Sequence, residues 1–481
     1  MADPTISELA KGLSDTQTAL NIVWTMVAGF LVMFMQAGFA LVETGLTRAK
    51  NAAHTMGMNF LVYSIGIIGF YFIGFGLQMG GVGSAFGETT LTKEFVVKLF
   101  GKDFGLFGMS GFGLPLSMFT PAVAATFLFQ MVFMDTTATI PTGAAAERWK
   151  FTSFVIFSFV IATIIYPIYA NWVWGGGWLS ALGTNFGLGH GHVDFAGSSV
   201  VHMTGGVMAL VLAWMIGPRA GKYGADGRIN PIAPQSIPQV MLGTFILAFG
   251  WFGFNAGSTL SGMDTRLAVV AVNTMLASAT GAFGAYLYVK ARFGKADPSW
   301  LANGMLAGLV AITAPCAFVS AWAAMLIGAI SGVLVVVAAI FIDTKLKVDD
   351  PVGAIAVHGV NGAWGILALG LFANGVYGQG TNGIAYGVTG LFYGDKGQFV
   401  ASVIGVLVNV AYVAPVAALA FFIIGKLVGN RVSLEDEVAG LDLPEMGVLG
   451  YSSDPGPGAG VEHAYGAAST APSTVATVAG R

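Results

Sequence analysis

Two histidines, His202 and His358, stand at the end of one repeated pattern. Asp194-x-x-Gly197-x-x-x-Val201-His202 returns as Asp350-x-x-Gly353-x-x-x-Val357-His358, and each copy opens a long apolar segment. A neutral imidazole donates one hydrogen bond and accepts another, and its charge changes near neutral pH. An ionisable side chain inside an apolar span is costly and usually functional. At matched positions, the pair suggests a site that passes a small polar solute, or its proton, along an otherwise apolar path. The structural alternative is that each ring bonds a neighbouring helix. No carboxylate or cysteine joins the two at metal-ligand spacing, which argues against zinc and for no metal or cofactor. His54, His190, His192 and His463 fall at segment ends, in loops or in the tail. The His190-Gly191-His192 pair reads as part of a solvated loop rather than a metal site.

The elements that must position the histidines follow from the same pattern. Asp is a favoured N-cap, and Pro351 fits the first helical position, where a missing N–H is harmless. Eight residues at about 1.5 Å each place each imidazole roughly 12 Å from its helix start. That is near the middle of a bilayer core about 30 Å thick. Helices entering from opposite faces would bring both rings to one level, as in transporters built from inverted repeats.

Composition supports a membrane setting. The 481 residues are 55% hydrophobic and 9% charged, with a mean hydropathy of +0.76. A net charge of −3 gives no reason to expect nucleic acid, and the lone Cys316 excludes a disulfide framework. Residues 1–17 are polar and lack the apolar core of a cleaved signal. Apolar runs of spanning length fall at roughly 18–45, 55–80, 115–145, 150–172, 195–217, 236–257, 264–291, 299–314, 319–342, 351–373 and 398–428. The expected fold is an all-α integral membrane protein of eleven spans, spans 1–5 and 6–10 forming an inverted repeat and span 11 an addition.

With the N-terminus outside, fifteen of the 21 basic residues lie inside; only Lys11, Lys93, Lys98, Lys102, Arg266 and Lys396 stay out. This asymmetry predicts an N-out, C-in orientation. The chain then divides into a short extracytoplasmic N-terminus (1–17), a membrane domain (18–428), a cytoplasmic region (429–450) and a disordered cytoplasmic tail (451–481), the last rich in Gly, Ser, Pro and Ala. Gln36-Ala37-Gly38 in the first span is faintly echoed by Asn255-Ala256-Gly257 in the sixth. The pairs Gly304/Gly308 and Gly328/Gly332 suit close helix contact in lipid. The stretches near 80–114, 173–193 and 374–397 read as outward-facing glycine-rich loops.

The motifs Asp194-Phe-Ala-Gly-Ser-Ser-Val-Val-His202, Gly250-Trp-Phe-Gly-Phe-Asn-Ala-Gly-Ser258 and Asp350-Pro-Val-Gly-Ala-Ile-Ala-Val-His358 resemble the ammonium transporter family (Amt/MEP/Rh), in its Amt branch. So do Phe129-Gln-Met-Val-Phe133, Ala146-Glu-Arg-Trp149 and Val173-Trp-Gly-Gly-Gly177. The resemblance runs from about residue 18 to 450. It implies a homotrimer of eleven-helix protomers in the cell (inner or plasma) membrane, each with its own pore for ammonium or ammonia and for methylammonium as an analogue. By motif matching, Phe133, Trp174 and Ser258 form an outer recruitment site, and Phe133 and Phe254 are stacked rings gating the pore. Phe129 and Trp251 line the vestibule and pore, His202 and His358 are the twin histidines, and Asp194 is an acid near the outer site. For Asp194 a plain helix-cap role stands beside that reading. Segment 430–449 resembles the family's cytoplasmic regulatory region, where a PII-type signal protein would dock; otherwise it is an acidic, solvated face. The alternatives within this fold are a Rhesus-like gas channel and an ammonium sensor. No enzyme motif accompanies the resemblance.

The energetics fit an ammonium substrate. Aromatic faces attract a cation by about 2 kcal/mol or more once it is desolvated. Carrying the intact ion through an apolar pore would cost on the order of 20 kcal/mol by a Born estimate. Ammonium has an aqueous pKa of roughly 9.2, so removing its proton at pH 7 costs about 3 kcal/mol, at about 1.36 kcal/mol per pK unit. Potassium has no proton to lose. The charge asymmetry has its own test: a cysteine at Gly378 should label from outside sealed cells and one at Lys222 only from inside, and labelling of both from one side would end the inverted-repeat reading.

Overall fold

The computed structural model describes residues 5–81, 90–377 and 380–451; Gly378 and the tail 452–481 lie outside the described residues. Among the described residues, ten helices are long and apolar enough to cross a membrane. They are α1 (Ile6–Leu46), α2 (Ala49–Met79), α3 (Pro121–Ala145), α4 (Phe151–Trp174), α5 (Ser198–Ile216), α6 (Ile237–Thr259), α7 (Arg266–Phe293), α9 (Ala321–Leu346), α10 (Ile355–Phe372) and α11 (Lys396–Leu427). Between α7 and α9 lies the shorter apolar α8 (Pro298–Ile312). At about 1.5 Å per residue α8 is too short to cross the core alone. The chain beyond it continues as turns up to Val319, and Asn273 donates to the Cys316 and Val319 carbonyls at 2.9 Å each. Side chains thus satisfy irregular backbone where lipid offers no partner.

Several boundaries differ from the hydropathy reading. Helix α1 begins at Ile6 rather than near residue 18, because Thr5 and Glu8 form a capping box that starts it in polar sequence. Pro351 does not occupy a first helical position: the chain bends through Pro351–Val352, and α10 starts beyond them. The stretch near 80–114 is not all loop. It holds a hairpin, β1 (Glu94–Leu99) and β2 (Lys102–Gly108), with Phe95 and Phe107 stacked at 4.9 Å.

Glycines set the helix spacing. A Cβ on Gly243 of α6 would lie 2.7 Å from the Gly38 carbonyl of α1, and one on Gly257 would meet Ala28. Gly45 meets Ser236 and Val240 further along, so α1 and α6 run antiparallel in backbone contact. The Gly38 and Gly257 echo therefore marks one shared interface. Gly304 and Gly308 of α8 and Gly332 of α9 all close on Gly281 of α7, while Gly328 meets Ala277 of the same helix.

One end of the bundle is closed by an ionic cluster. Glu147, with a positive φ of 71°, turns its carboxylate onto Arg48, Asn51 and Arg219. Arg219 also chelates Asp349 through three donors at 2.9 Å. Burial alone would raise the Asp349 carboxyl, but the hydrogen bonds and charge of Arg219 hold it well below its ordinary value. The segment after α11 docks here. Buried Glu437 binds Arg431 and the Ala220 N–H, Asp442 accepts from the His54 N–H, and Glu445 accepts from the Phe151 N–H. The solvated-face reading of this acidic stretch holds for Glu435, which is exposed, and in part for half-buried Asp436, and fails for Glu437, which an arginine draws inward.

Gly243→Val should push α1 and α6 apart. The expected loss is about 1–3 kcal/mol of stability, read as a lower midpoint of thermal unfolding in detergent.

Candidate functional site

The site is built where α5 and α10 cross. A Cβ on Gly206 would strike the backbone of Gly359, and one on Gly362 would meet Ser198 and Met203. Early residues of one helix thus face late residues of the other, so the two run antiparallel. Both open with a π-helical stretch, Ser198–Met203 and Ile355–Val360, and each stretch carries the histidine. Helix α5 starts at Ser198, so His202 lies four residues in, roughly 6 Å along a helix axis rather than the expected 12 Å. The reason lies in the Asp-x-x-Gly turn. Gly197 and Gly353 take left-handed φ values of 116° and 80°, which delays both helices beyond their aspartates.

Asp194 caps α5 across that turn. Its Oδ1 accepts from the N–H groups of Gly197 and Ser198, and its Oδ2 from those of Ser199 and Val200 and from the Ser199 hydroxyl, all at 2.7–2.9 Å. Five donors leave the carboxylate no free lone pair of consequence. Asp350 does the same more weakly for α10, accepting from Val352, Gly353 and Ile355. The cap role is directly visible. Contact between Asp194 and the aromatic cluster runs through its backbone, whose carbonyl accepts from Trp174 Nε1 at 2.7 Å.

The rings stand one beneath another. Trp174 meets Phe133 edge-on at 5.9 Å, Phe133 stacks on Phe254 at 4.2 Å, and Phe129 lies 4.6 Å from Phe133. Phe254 stacks on His202 at 5.3 Å, and Trp251 flanks His202 at 5.2 Å, pinned by its own bond to Thr313. His202 Nδ1 then lies 3.1 Å from His358 Nδ1, the imidazoles 22° from parallel. Ser258 sits one helical turn past Phe254 and donates to its carbonyl at 2.7 Å. All nine residues singled out in the sequence thus fall in this column or its immediate support.

A hydrogen bond between two Nδ1 atoms needs one of them bare. The partner donating its Nδ1 proton has a bare Nε2, while the other carries its proton on Nε2. The pair therefore offers an acceptor at one end and a donor at the other. Among the described residues, His202 Nε2 has no hydrogen-bond partner. His358 lines a small cavity of about 20 Å³, room for one water-sized molecule.

His190 and His192 are not solvated. Both are fully buried, His190 Nε2 against the Tyr386 carbonyl at 2.8 Å and His192 Nε2 against Ser199 Oγ at 2.9 Å. Burial pushes the His192 imidazole down to about 4, against the pull of the Asp194 carboxylate. The neutral ring donates to Ser199, whose own proton goes to Asp194. No group of three metal-capable side chains occurs among the described residues. The sequence reading missed Glu43, Asn59 and Thr142, a buried polar cluster beside the His358 cavity. A carboxylate inside the first apolar run was the available signal.

A profile of the Ammonium Transporter Family matches residues 23–451. The chain belongs to the ammonium transporter family. It is 42% identical to the ammonium transporter Amt2 of Archaeoglobus fulgidus, over 94% of this chain and 92% of that one. It is 38% identical to Amt1 of Haloferax mediterranei, over 92% and 82%. Among solved structures, a Sensor Amt Protein superposes with a TM-score of 0.78 at 35% identity, over 90% of this chain and 99% of that one. Saccharomyces cerevisiae Mep2 gives 0.72 at 28% identity, over 87% and 88%. The family and the ten spanning helices make this a multi-pass membrane protein of a transport family.

Asp194→Ala would strip the acceptor from four N–H groups and one hydroxyl at the head of α5. A loss of about 2–4 kcal/mol follows from leaving buried donors unpaired, visible as a lower thermal midpoint, with Asp194→Asn intermediate.

Proposed function

We propose that this protein conducts ammonium nitrogen across the cell membrane by recruiting the ammonium ion at the outer aromatic cluster, removing its proton and passing ammonia between the histidines. The observation that carries this reading is the 3.1 Å Nδ1···Nδ1 contact directly beneath two stacked phenylalanines. Trp174, Phe133 and Ser258 form the recruitment site, where ring faces and a hydroxyl replace water around the cation. Phe133 and Phe254, at 4.2 Å, leave no gap for a hydrated ion and act as the gate. Phe129 and Trp251 shape the walls. Asp194 holds the head of α5 and, through its carbonyl, the indole of Trp174.

The orientation is N-out and C-in, with α8 completing eleven crossings. The loops gathered in the Arg48–Glu147–Arg219–Asp349 cluster lie at one end of the bundle, and the basic-residue bias assigns that end to the cytoplasm. The active form is a homotrimer. The docked segment 429–450 is the regulatory region, placed to receive a PII-type signal protein.

Each histidine depends on the other for its tautomer. His202→Ala or His358→Ala therefore removes the donor–acceptor polarity and widens the path at once. In proteoliposomes with ammonium and potassium measured side by side, either variant should lose transport, lose selectivity for ammonium over potassium, or both. Wild-type rate and selectivity in both variants would sink the reading. Ammonium binding without flux in the wild-type protein would instead favour a sensor.

A further inference from the structure

Glu43 lies within the membrane-spanning α1, where a carboxyl group is expensive. It is 3% exposed and has no cationic partner among the described residues. Instead Asn59 Nδ2 donates to its Oε2 at 2.7 Å, and Thr142 Oγ1 stands 2.9 Å from both carboxyl oxygens. Thr142 also reaches the Thr139 carbonyl, and Asn59 is itself held by Thr139. Thr142 has one proton and three acceptors in range. If that proton goes to the Thr139 carbonyl, a protonated Glu43 supplies the bond to Thr142; if Glu43 is ionised, Thr142 turns to it. The cluster accommodates both states without moving a heavy atom.

Glu43 also faces space. It and His358 line the same cavity of about 20 Å³, with Phe39, Ile140, Leu306 and Val357 supplying apolar wall. Gly143 keeps that space open, since a Cβ there would press on the Glu43 carboxyl and on Val352. Asn303 and Val352, joined by a 3.2 Å hydrogen bond, line this cavity and also a wider one of about 440 Å³. The wider cavity holds Asp297, Asp343, Asp350 and Lys222, at the end of the bundle that carries the ionic cluster. Glu43 thus stands at the neck between the histidine pair and a polar vestibule.

We infer that Glu43 is the inner proton donor of the transport cycle, returning a proton to ammonia after it has passed His358. This rests on the ammonia-conduction reading above. The Glu43 O–H bond breaks as the nitrogen lone pair of ammonia takes the proton and forms the fourth N–H bond. The resulting ammonium leaves for the vestibule, whose carboxylates favour a cation. The Glu43 carboxylate then takes a proton from vestibule water, and the hydroxide formed is neutralised in bulk.

The test is transport in proteoliposomes. Glu43→Gln keeps the size of the side chain and its bonds to Asn59 and Thr142 but has no acidic proton. The maximal ammonium rate should fall about tenfold or more, the low end of what a positioned acid contributes. Half-saturation, set at the outer cluster, should stay at its wild-type value. A merely structural role predicts no such split, and Glu43→Gln at the wild-type rate would overturn the inference. A wild-type protein that carries no ammonium would instead sink the conduction reading itself. Infrared difference spectra of the wild-type protein give a second measure that does not need the Gln variant to fold. Ammonium should change a protonated-carboxyl band whose position moves in Glu43→Asp; a spectrum without that band also overturns the inference.

Discussion

Where α5 and α10 touch at Gly206 and Gly359, a methyl group on either residue would collide with the other backbone or stand against it. In lipid no hydrophobic effect pulls helices together, so contact this close depends on absent side chains. It brings two imidazoles from oppositely directed helices to 3.1 Å. The neighbouring contacts serve the same geometry. Trp251 and Phe254 stack on His202, Thr313 pins Trp251, and Asp194 anchors the helix that carries His202.

The aspartate–glycine turn shows how one motif meets two demands. A carboxylate upstream collects the N–H groups that the head of a helix leaves unpaired, and the left-handed glycine lets the chain double back so that it can. On α5, Asp194 takes five donors; on α10, Asp350 takes three. The weaker cap faces the polar vestibule, where water can satisfy what the protein does not. In both repeats the helix that follows opens with a π-helical stretch, a feature often found at functional positions.

A pore for a proton-bearing solute must handle charge at both ends and exclude it between. In the proposed function, aromatic faces and stacked rings serve one end. Toward the other end, Glu43 and His358 line one small cavity, and the carboxylates of the vestibule line the wider one beside it. The ionic cluster around Glu147 and Arg219 locks the helix ends bordering that vestibule. Glu437 and Asp442 tie the segment after α11 to the same face.

The sequence by itself determined the membrane setting, most of the spans, the matched histidines and, through motif resemblance, the aromatic column. Periodic apolarity, an asymmetric spread of Lys and Arg, and a repeated Asp-Gly-His pattern are local properties of a chain, and each has a direct physical consequence in a bilayer. Tertiary structure decided what depends on neighbours distant in sequence. It buried His190 and His192, which a glycine-rich context had marked as solvated, because Gln398, Asn382 and Ser199 supply their hydrogen bonds. It started α1 at Ile6, put a hairpin where only loop was expected, and moved the head of α5 close to its histidine. It also set Glu43 beside the same cavity as His358. Nothing in the spacing of residues 43, 59 and 142 points to that cluster, because three helices must pack before the carboxyl meets its donors.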